Sequence, residues 1–513
     1  MHRVSFRIGM ALAALFFSSL PYIYGALQPV SGSTYTGIRP LNASDYNVNL
    51  SWLQQFREGR LLLNNLYSSE PQRAFLIRPV YCLISLPFRF LSISNTAALH
   101  ILRLLCGFAL LLALFPMLQS ITNDSRVTII TFALLAFTSG AGLLFRSVFP
   151  QSIDLSVPES VLFLALGEPP HFLYSLLLLW GGVLAFYHAR NDSKFLLLYL
   201  MCLSLLWWEH PFDAVTLIFV GAVELWILPR WNRFLIPVGI AAVSLPPLLY
   251  YRALQKFPDY AGWSIQNVML TPSAGSLISG FLPLILLAIP AAFFLRRDPE
   301  RRRIALFLLL WVVTQCMLSY LPFSFQRRLT AGMQFPLAIL AAFTLNRWKM
   351  WAPIAATILL LTASNVYMTQ QQIEGIASKD MPFYLPDSYA RAFQWLAAQK
   401  DKGTVMSGFI TGNFIPAYTG HPVYMGHSAL TPQIARKRAE ASGFYRNPQP
   451  DFLKGNGIQY VFWGREEQRL SGKNLESVFS SGYNRDGIAI FSADTLNKPE
   501  IARFSIDLPV TRD

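Results

Sequence analysis

The chain has 513 residues, 53% of them hydrophobic and only 14% charged, against about 25% charged in an average soluble domain, so a protein dissolved mainly in water is excluded. The formal net charge of +14 does not sit in one basic patch, because Lys and Arg are spread between apolar runs; that argues against a nucleic-acid partner and for charge on membrane-flanking loops. Four cysteines, Cys82, Cys106, Cys202 and Cys316, lie in or beside apolar runs without CxxC spacing, which indicates neither a disulfide framework nor a zinc site.

A helix needs about 20 apolar residues to cross a bilayer core. Runs near that length, some slightly short, fall at residues 8–27, 97–118, 127–144, 172–188, 195–208, 212–228, 234–251, 274–295, 304–320, 329–345 and 350–368, which predicts eleven spans. The first has the basic-then-apolar look of a signal peptide but no small-x-small cleavage pattern, and reads as a retained signal anchor. Glu224 falls inside one run, near its cytoplasmic end, where its side chain can snorkel.

Residues 28–78 form the longest polar interruption before residue 370, with Asp45, Glu58 and Glu70 as their only acids. Residues 75–90 are apolar but carry Arg78, Arg89 and two prolines. A central Arg costs at least about 2.5–3.5 kcal/mol on insertion, and counting this stretch as a span would put the RRDPERRR loop, 296–303, on the outer side. The positive-inside rule rejects that, so 75–90 is expected to lie at the outer interface as a juxtamembrane or re-entrant piece. The loops at Arg126, Arg190/Lys194, Arg230/Arg233, 296–303 and Arg347/Lys349 then fall inside with the N-terminus. Segments 28–78, 146–171, 209–213, 252–273 and 321–328 face outside. The expected domains are a membrane part, 1–368, whose first outer loop and juxtamembrane helices fill 28–96, and a soluble extracytoplasmic part, 369–513.

The soluble part begins with PDSYARAFQWLAAQK, an amphipathic helix with Asp387 or Ser388 as its cap. TVMSGF, IQYVFWG and GIAIFSA are short apolar runs of the kind that form buried strands. TPQIARKRAEASG predicts a helix starting at Thr431–Pro432 and stopping at Gly443. Alternating strands and helices predict a small α/β domain.

On this topology the polar residues suited to chemistry share one face. Asp45 lies in the first outer loop. Asp154, Glu159 and His171 lie in the second, Glu209 and His210 in the WEHPFD turn, and Arg327–Arg328 at a later span mouth. A base on an acceptor hydroxyl and positive charge on a departing phosphate are what transfer of a sugar from a lipid phosphate needs. Forked guanidinium bonds suit the phosphate. Each residue also has a plainer use: Asp45 in a turn-like NASDY, Asp154 and Glu159 as interfacial caps, His171 at a helix start after two prolines, Glu209–His210 beside a Trp pair, and Arg327–Arg328 on any anionic headgroup.

The layout resembles the GT-C class of membrane glycosyltransferases, which use polyprenyl-phosphate sugars. The resemblance rests on the acid soon after the first span (Asp45), on IDLSVPES and PPH in the second outer loop, on FQRRLTAG before a late span, and on GNFIPAYTGHPVYMGH in the tail. It implies a polytopic α-helical GT-C-like fold with a C-terminal extracytoplasmic α/β domain, in the inner membrane, with a cytoplasmic N-terminus. It also implies Asp45 as catalytic base, Asp154, Glu159, His171, Glu209 and His210 as substrate or second-acid residues, Arg327 and Arg328 on the donor phosphate, and a tail motif with Tyr418, His421 and His427. The paired-acid signature of some members is absent, since Tyr46 and Asn47 follow Asp45. No metal site or cofactor is therefore indicated, although a divalent metal is compatible with the chemistry. The implied partners are a polyprenyl-phosphate-linked sugar, a glycan, lipid or protein acceptor, and membrane lipids. The competing functions are a transporter or flippase of a lipid-linked or anionic substrate, which would show paired interrupted helices in two halves, and a non-catalytic scaffold.

Overall fold

The structure is a computed structural model and describes residues 2–189, 192–222, 230–471, 475 and 479–493; Arg190 and Glu224 lie outside the described residues. Backbone in a bilayer must satisfy its own hydrogen bonds, and each of the eleven apolar runs carries a helix. Among the described residues, six helices are long and apolar enough to cross a membrane: Asn95–Thr122, Pro170–His188, Leu235–Leu254, Ala274–Leu295, Gln326–Leu345 and Trp351–Ile376. A seventh is the first run, bent by 57° between Val4–Ser18 and Leu20–Leu27, where Pro21 cannot donate to the preceding turn. Helices Ser125–Phe137, Lys194–Glu209, Pro211–Ala222 and Pro299–Leu318 occupy the other four runs. The chain is a polytopic helical membrane protein. Two compact units make it up, Met1–Asn65 with Pro71–Leu385, and Leu66–Glu70 with Pro386–Asp513.

The first unit is organised around one apolar cluster in which Leu114, Leu134, Leu179, Leu217, Leu284 and Leu340 are fully buried. Two places inside it leave the helical pattern, and polar side chains receive the freed backbone at each. The expected span 127–144 stops at Phe137. Past it, Ser139 N–H donates to Leu361 O at 3.2 Å, and Gly140 and Gly142 N–H donate to Asp154 Oδ2 at 3.1 and 3.0 Å. Only glycine fits at 140, because a Cβ there would stand 1.8 Å from Gly280 O. The second break separates the 3-10 turn Gln326–Thr330 from helix Gln334–Leu345. Here the buried Gln315 amide donates to Leu329 O and Ala331 O at 3.0 and 2.8 Å. Gln334 accepts from Leu162 N–H at 2.8 Å.

The stretch 75–90 becomes helix Pro79–Ser85 followed by the 3-10 turn Leu86–Phe90. At about 1.5 Å per residue, Pro79–Phe90 is far shorter than a bilayer core of about 30 Å. It is two-faced, with Tyr81 and Cys82 buried and Leu83 and Phe90 exposed. Helix Ala363–Ile376 runs through the boundary expected at 368/369, and β1 (Ser33–Tyr35) pairs with β2 (Tyr384–Pro386).

The second unit carries β3 (Thr404–Met406), β4 (Ile458–Trp463), β5 (Ser481–Arg485) and β6 (Ile488–Ser492) in the order β3-β4-β6-β5. β3 and β4 are parallel, and both β6 pairings are antiparallel. Helix Asp387–Ala397 starts without a side-chain cap, so neither Asp387 nor Ser388 plays that part. The later helix spans Ile434–Arg446 rather than 431–443: Thr431 Oγ1 is taken by Gly426 and His427 N–H, at 3.1 and 3.2 Å, and Gly443 is simply carried inside the helix. Leu66–Glu70, from the first polar loop, is built into this unit. Val423 N–H donates to Leu66 O at 2.9 Å, Thr431 Oγ1 to Tyr67 O at 2.8 Å, and the buried Lys437 pairs with Glu70 at 2.9 Å.

Candidate active site

The chain turns at Asn42, with a φ of 56°, into helix Ala43–Arg57, which puts Asp45 in the first helical turn. Unsatisfied N–H groups there carry partial positive charge and favour a carboxylate. The turn is fixed by the second polar loop. Arg39 is buried and pairs with the buried Glu168, whose other oxygen accepts from Asn42 Nδ2 at 3.2 Å. Tyr22 and Tyr46 hydroxyls both donate to Gly167 O at 2.6 Å. One turn on, Asn49 Nδ2 donates to Asp45 O at 2.7 Å.

Asn49 also locates a cation. Its Oδ1 accepts from Arg78 Nη1 at 3.0 Å, and the Arg78 guanidinium lies 4.6 Å from the centre of the Trp52 ring. Arg78 N–H donates to Trp208 O at 3.2 Å. The next residue but one, Val80, gives its N–H to Glu209, which also accepts from the Tyr174 hydroxyl at 2.5 Å. Buried Glu209 thus anchors the Pro79–Ser85 helix beside Arg78. The charges of Asp45 and Glu209 both act on Arg78, and those of Asp45 and Glu159 both act on Arg328.

The Arg pair stands on the 3-10 turn Gln326–Thr330. Arg327 Nε is 3.4 Å from Glu159 Oε1, and its N–H donates to Met269 O at 3.0 Å. The Arg328 guanidinium lies 4.6 Å from the centre of the Phe212 ring, and the His210 ring is 5.4 Å from the same ring. The rings of His171 and His210 are 6.3 Å apart. His210 Nδ1 stands 3.0 Å from Asp213 Oδ2, an ion-pair distance whose angle falls short of a formed hydrogen bond. Asp45, Glu159, His171, Glu209, His210, Arg327 and Arg328 are thereby brought into one neighbourhood with Arg78 and Asp213.

Asp154 is not part of it. It is fully buried and occupied by Gly140 and Gly142 N–H and by the Ser152 hydroxyl, 2.6 Å away. The tail residues belong to the second unit. His421 has both ring nitrogens 2.9 Å from carbonyls, those of Gly403 and Leu396. His427 Nδ1 accepts from Ala429 and Leu430 N–H, each at 3.2 Å. Tyr418 packs on Phe393 and Phe414. These contacts give the tail residues work within their own domain. Among the described residues, no group of three or more His, Cys, Asp or Glu is placed to share a metal ion.

Sequence reasoning missed Arg78 and Arg39 as site residues, counting the first only as an insertion cost. It placed Asp213 in the WEHPFD turn without a role and had no signal for Tyr174.

No family model and no curated protein matches the sequence. Solved structures do. The archaeal oligosaccharyltransferase AglB from Archaeoglobus fulgidus, in complex with an inhibitory peptide and a dolichol-phosphate, aligns over 90% of this chain and 69% of its own at 13% identity, with a TM-score of 0.55. ArnT from Cupriavidus metallidurans aligns in the apo state over 98% of this chain and 100% of its own at 11% identity, TM-score 0.53. Bound to undecaprenyl phosphate, ArnT aligns over 97% and 99% at 11% identity, TM-score 0.55. At such identities the likeness speaks for the fold, and the fold of this chain is that of the GT-C membrane proteins.

Proposed function

We propose that this protein is a glycosyltransferase that moves a hexosyl or pentosyl unit from a polyprenyl-phosphate donor to an acceptor hydroxyl on the outer face of the inner membrane. The observation that carries this reading is the placing of one helix-start carboxylate, Asp45, in the field of two guanidiniums, Arg78 and Arg328, on separate elements. The GT-C fold, shared with proteins whose structures hold dolichol-phosphate and undecaprenyl phosphate, supports it. Asp45 takes the proton of the acceptor O–H as that oxygen bonds to the anomeric carbon. The bond from that carbon to the phosphate oxygen breaks, and its electron pair leaves with the phosphate. The phosphate is held by Arg327 and Arg328, with Arg78 close by, and departs as a stable anion, so no strong general acid is required. Attack opposite the leaving phosphate inverts the anomeric centre. The acceptor is a glycan, a lipid or a protein, and the N-terminus is cytoplasmic with the second unit outside.

The test is Asp45→Asn, assayed with synthetic polyprenyl-phosphate sugars in detergent. General-base loss is worth about 10²–10⁴ in rate, so kcat falls at least about 100-fold while the KM for the donor moves less than about threefold. Undiminished transfer by the variant removes Asp45 from the mechanism. An absence of transfer by the wild type with every donor, together with substrate flux in liposomes, overturns the transferase in favour of a transporter.

A further inference from the structure

We propose that Glu159, His171, His210 and Asp213 form the subsite that reads the hydroxyl groups of a sugar unit without an anionic group on the lipid phosphate, a proposal that rests on the glycosyltransferase reading. All four side chains are nine-tenths or more buried, at 4%, 4%, 3% and 2% exposure. Each keeps at least one polar atom without a hydrogen-bond partner in the protein: Glu159 Oε2, His171 Nδ1, both ring nitrogens of His210 and Asp213 Oδ1. Buried polar groups are ordinarily paired, and four exceptions in one neighbourhood mark a place built to be completed by a ligand.

The kind of ligand follows from the donor and acceptor inventory. A phosphate only accepts, and beside Glu159 and Asp213 it meets like charge. An isoprenoid chain satisfies none of these atoms. A sugar hydroxyl both donates and accepts, so it can give its hydrogen to a carboxylate oxygen and meet an imidazole nitrogen in either role. Two carboxylates in the set repel a sugar that carries a carboxylate of its own, which leaves a sugar without an anionic group as the fit.

The arrangement also orders the work. Asp213 Oδ2 stands 3.0 Å from His210 Nδ1 without a formed hydrogen bond, so both ring nitrogens of His210 are left to the ligand. Phe212 lies between the hydroxyl readers and the phosphate grip, with the His210 ring 5.4 Å from its centre and the Arg328 guanidinium 4.6 Å from it. Glu159 reaches the same grip, 3.4 Å from Arg327 Nε. One side of the cluster therefore serves the phosphate and the other the sugar joined to it. Asp213 acts as a direct partner through Oδ1.

The experiment measures dissociation constants of the full-length protein in detergent for citronellyl phosphate, for its mannosyl, galactosyl and arabinosyl derivatives, and for its glucuronosyl derivative. The best uncharged sugar derivative should bind at least tenfold more tightly than citronellyl phosphate alone and at least tenfold more tightly than the glucuronosyl probe. Asp213→Asn and His210→Gln should each erase the gain from the sugar while leaving citronellyl phosphate within twofold. Glucuronosyl binding as tight as the best neutral sugar overturns the proposal in the wild type alone, whether or not the variants fold. Equal losses for the bare and the sugar-bearing probe overturn it as well. Binding of citronellyl phosphate with no gain from any sugar overturns this subsite and leaves the donor reading standing. Failure of every probe to bind overturns both.

Discussion

Arg78 enters the sequence as a liability, a cation in an apolar stretch, and the structure turns it into a fixture. Asn49 Oδ1 takes one end of its guanidinium and the Trp52 ring supports the plane. A lysine offers one compact charge and cannot make both contacts at once. Arg78→Lys is therefore expected to lower kcat/KM for a lipid-linked donor by about 10- to 100-fold, the cost of one lost charge-assisted bond and a misplaced cation, with unchanged melting in detergent. A variant with wild-type kcat/KM would take Arg78 out of the site. Asp45 was legible because an acid after the first span stands out in a loop with three acids. Arg78 was not, since its two partners lie 26 and more residues earlier and only folding brings them to it. Glu467 makes a second residue-scale case. It is buried, accepts from Gly408 and Gly464 N–H at 2.7 and 2.9 Å, and its carboxyl is pushed up to about 7, chiefly by burial and next by the neighbouring Glu466 charge. A folded-state value above the ordinary 4.5 means the native state holds a proton that the unfolded chain has released. Stability then falls as pH rises from about 4.5 to 7 and levels off above. The melting midpoint of the wild type minus that of Glu467→Gln should drop across this window and be flat beyond it; a difference that rises with pH contradicts the burial argument.

At the scale of elements, apolar runs told most of the story. β3, β4 and β6 are apolar stretches bounded by glycine and were readable as strands. β5, whose sequence is SGYNR, is polar and mostly exposed, so nothing but its pairing with β6 defines it. The tail motif was legible as a pattern and silent about purpose. In the structure it packs closely: a Cβ on Gly412 would stand 2.1 Å from Met425 O, and one on Gly426 would stand 2.2 Å from Gly412 O. Helix Phe409–Thr419 and the 423–427 segment thus touch backbone to backbone, with Asn413 Nδ2 bonded to Gly426 O at 3.1 Å. Gly412→Ala must push these backbones apart, and overpacking of this kind costs about 1–3 kcal/mol. Hydrogen exchange should quicken in β3 and in helix Phe409–Thr419. Protection equal to wild type in both would show that the approach is slack. The helix expected over 127–144 stops early, at Phe137, for the complementary reason. Its composition is helical, yet Asp154, remote in hydrophobic pattern, captures the amides of Gly140 and Gly142 and ends the helix.

For the whole molecule, the orientation proposed above puts Asp45 outside, and charge is the argument for it. The 296–303 loop holds five arginines in eight residues, and basic loops of this kind are retained in the cytoplasm. With the Arg-bearing stretch Pro79–Phe90 taken as an interfacial piece, the loop that begins after Leu27 and the next helix start, Asn95, lie on the same face. That face is opposite the 296–303 loop when the eleven runs are counted as eleven crossings. A cysteine probe must be accessible, and burial now selects its position: Ser68 is 1% exposed, whereas Leu61 is 60% exposed. On the other side Asp298 has a side chain 50% exposed. With Cys82, Cys106, Cys202 and Cys316 replaced, Leu61→Cys should react with a membrane-impermeant maleimide in sealed cells or spheroplasts, and Asp298→Cys only after permeabilisation. The reverse pattern would place Asp45, Arg78 and the Arg pair on the cytoplasmic face, where the acceptor and the donor's sugar would have to be found. Reaction of both in sealed spheroplasts would mean an odd number of crossings between Leu61 and Asp298 is wrong, and the three shorter helices between them, Ser125–Phe137, Lys194–Glu209 and Pro211–Ala222, would be the first to lose their place as spans.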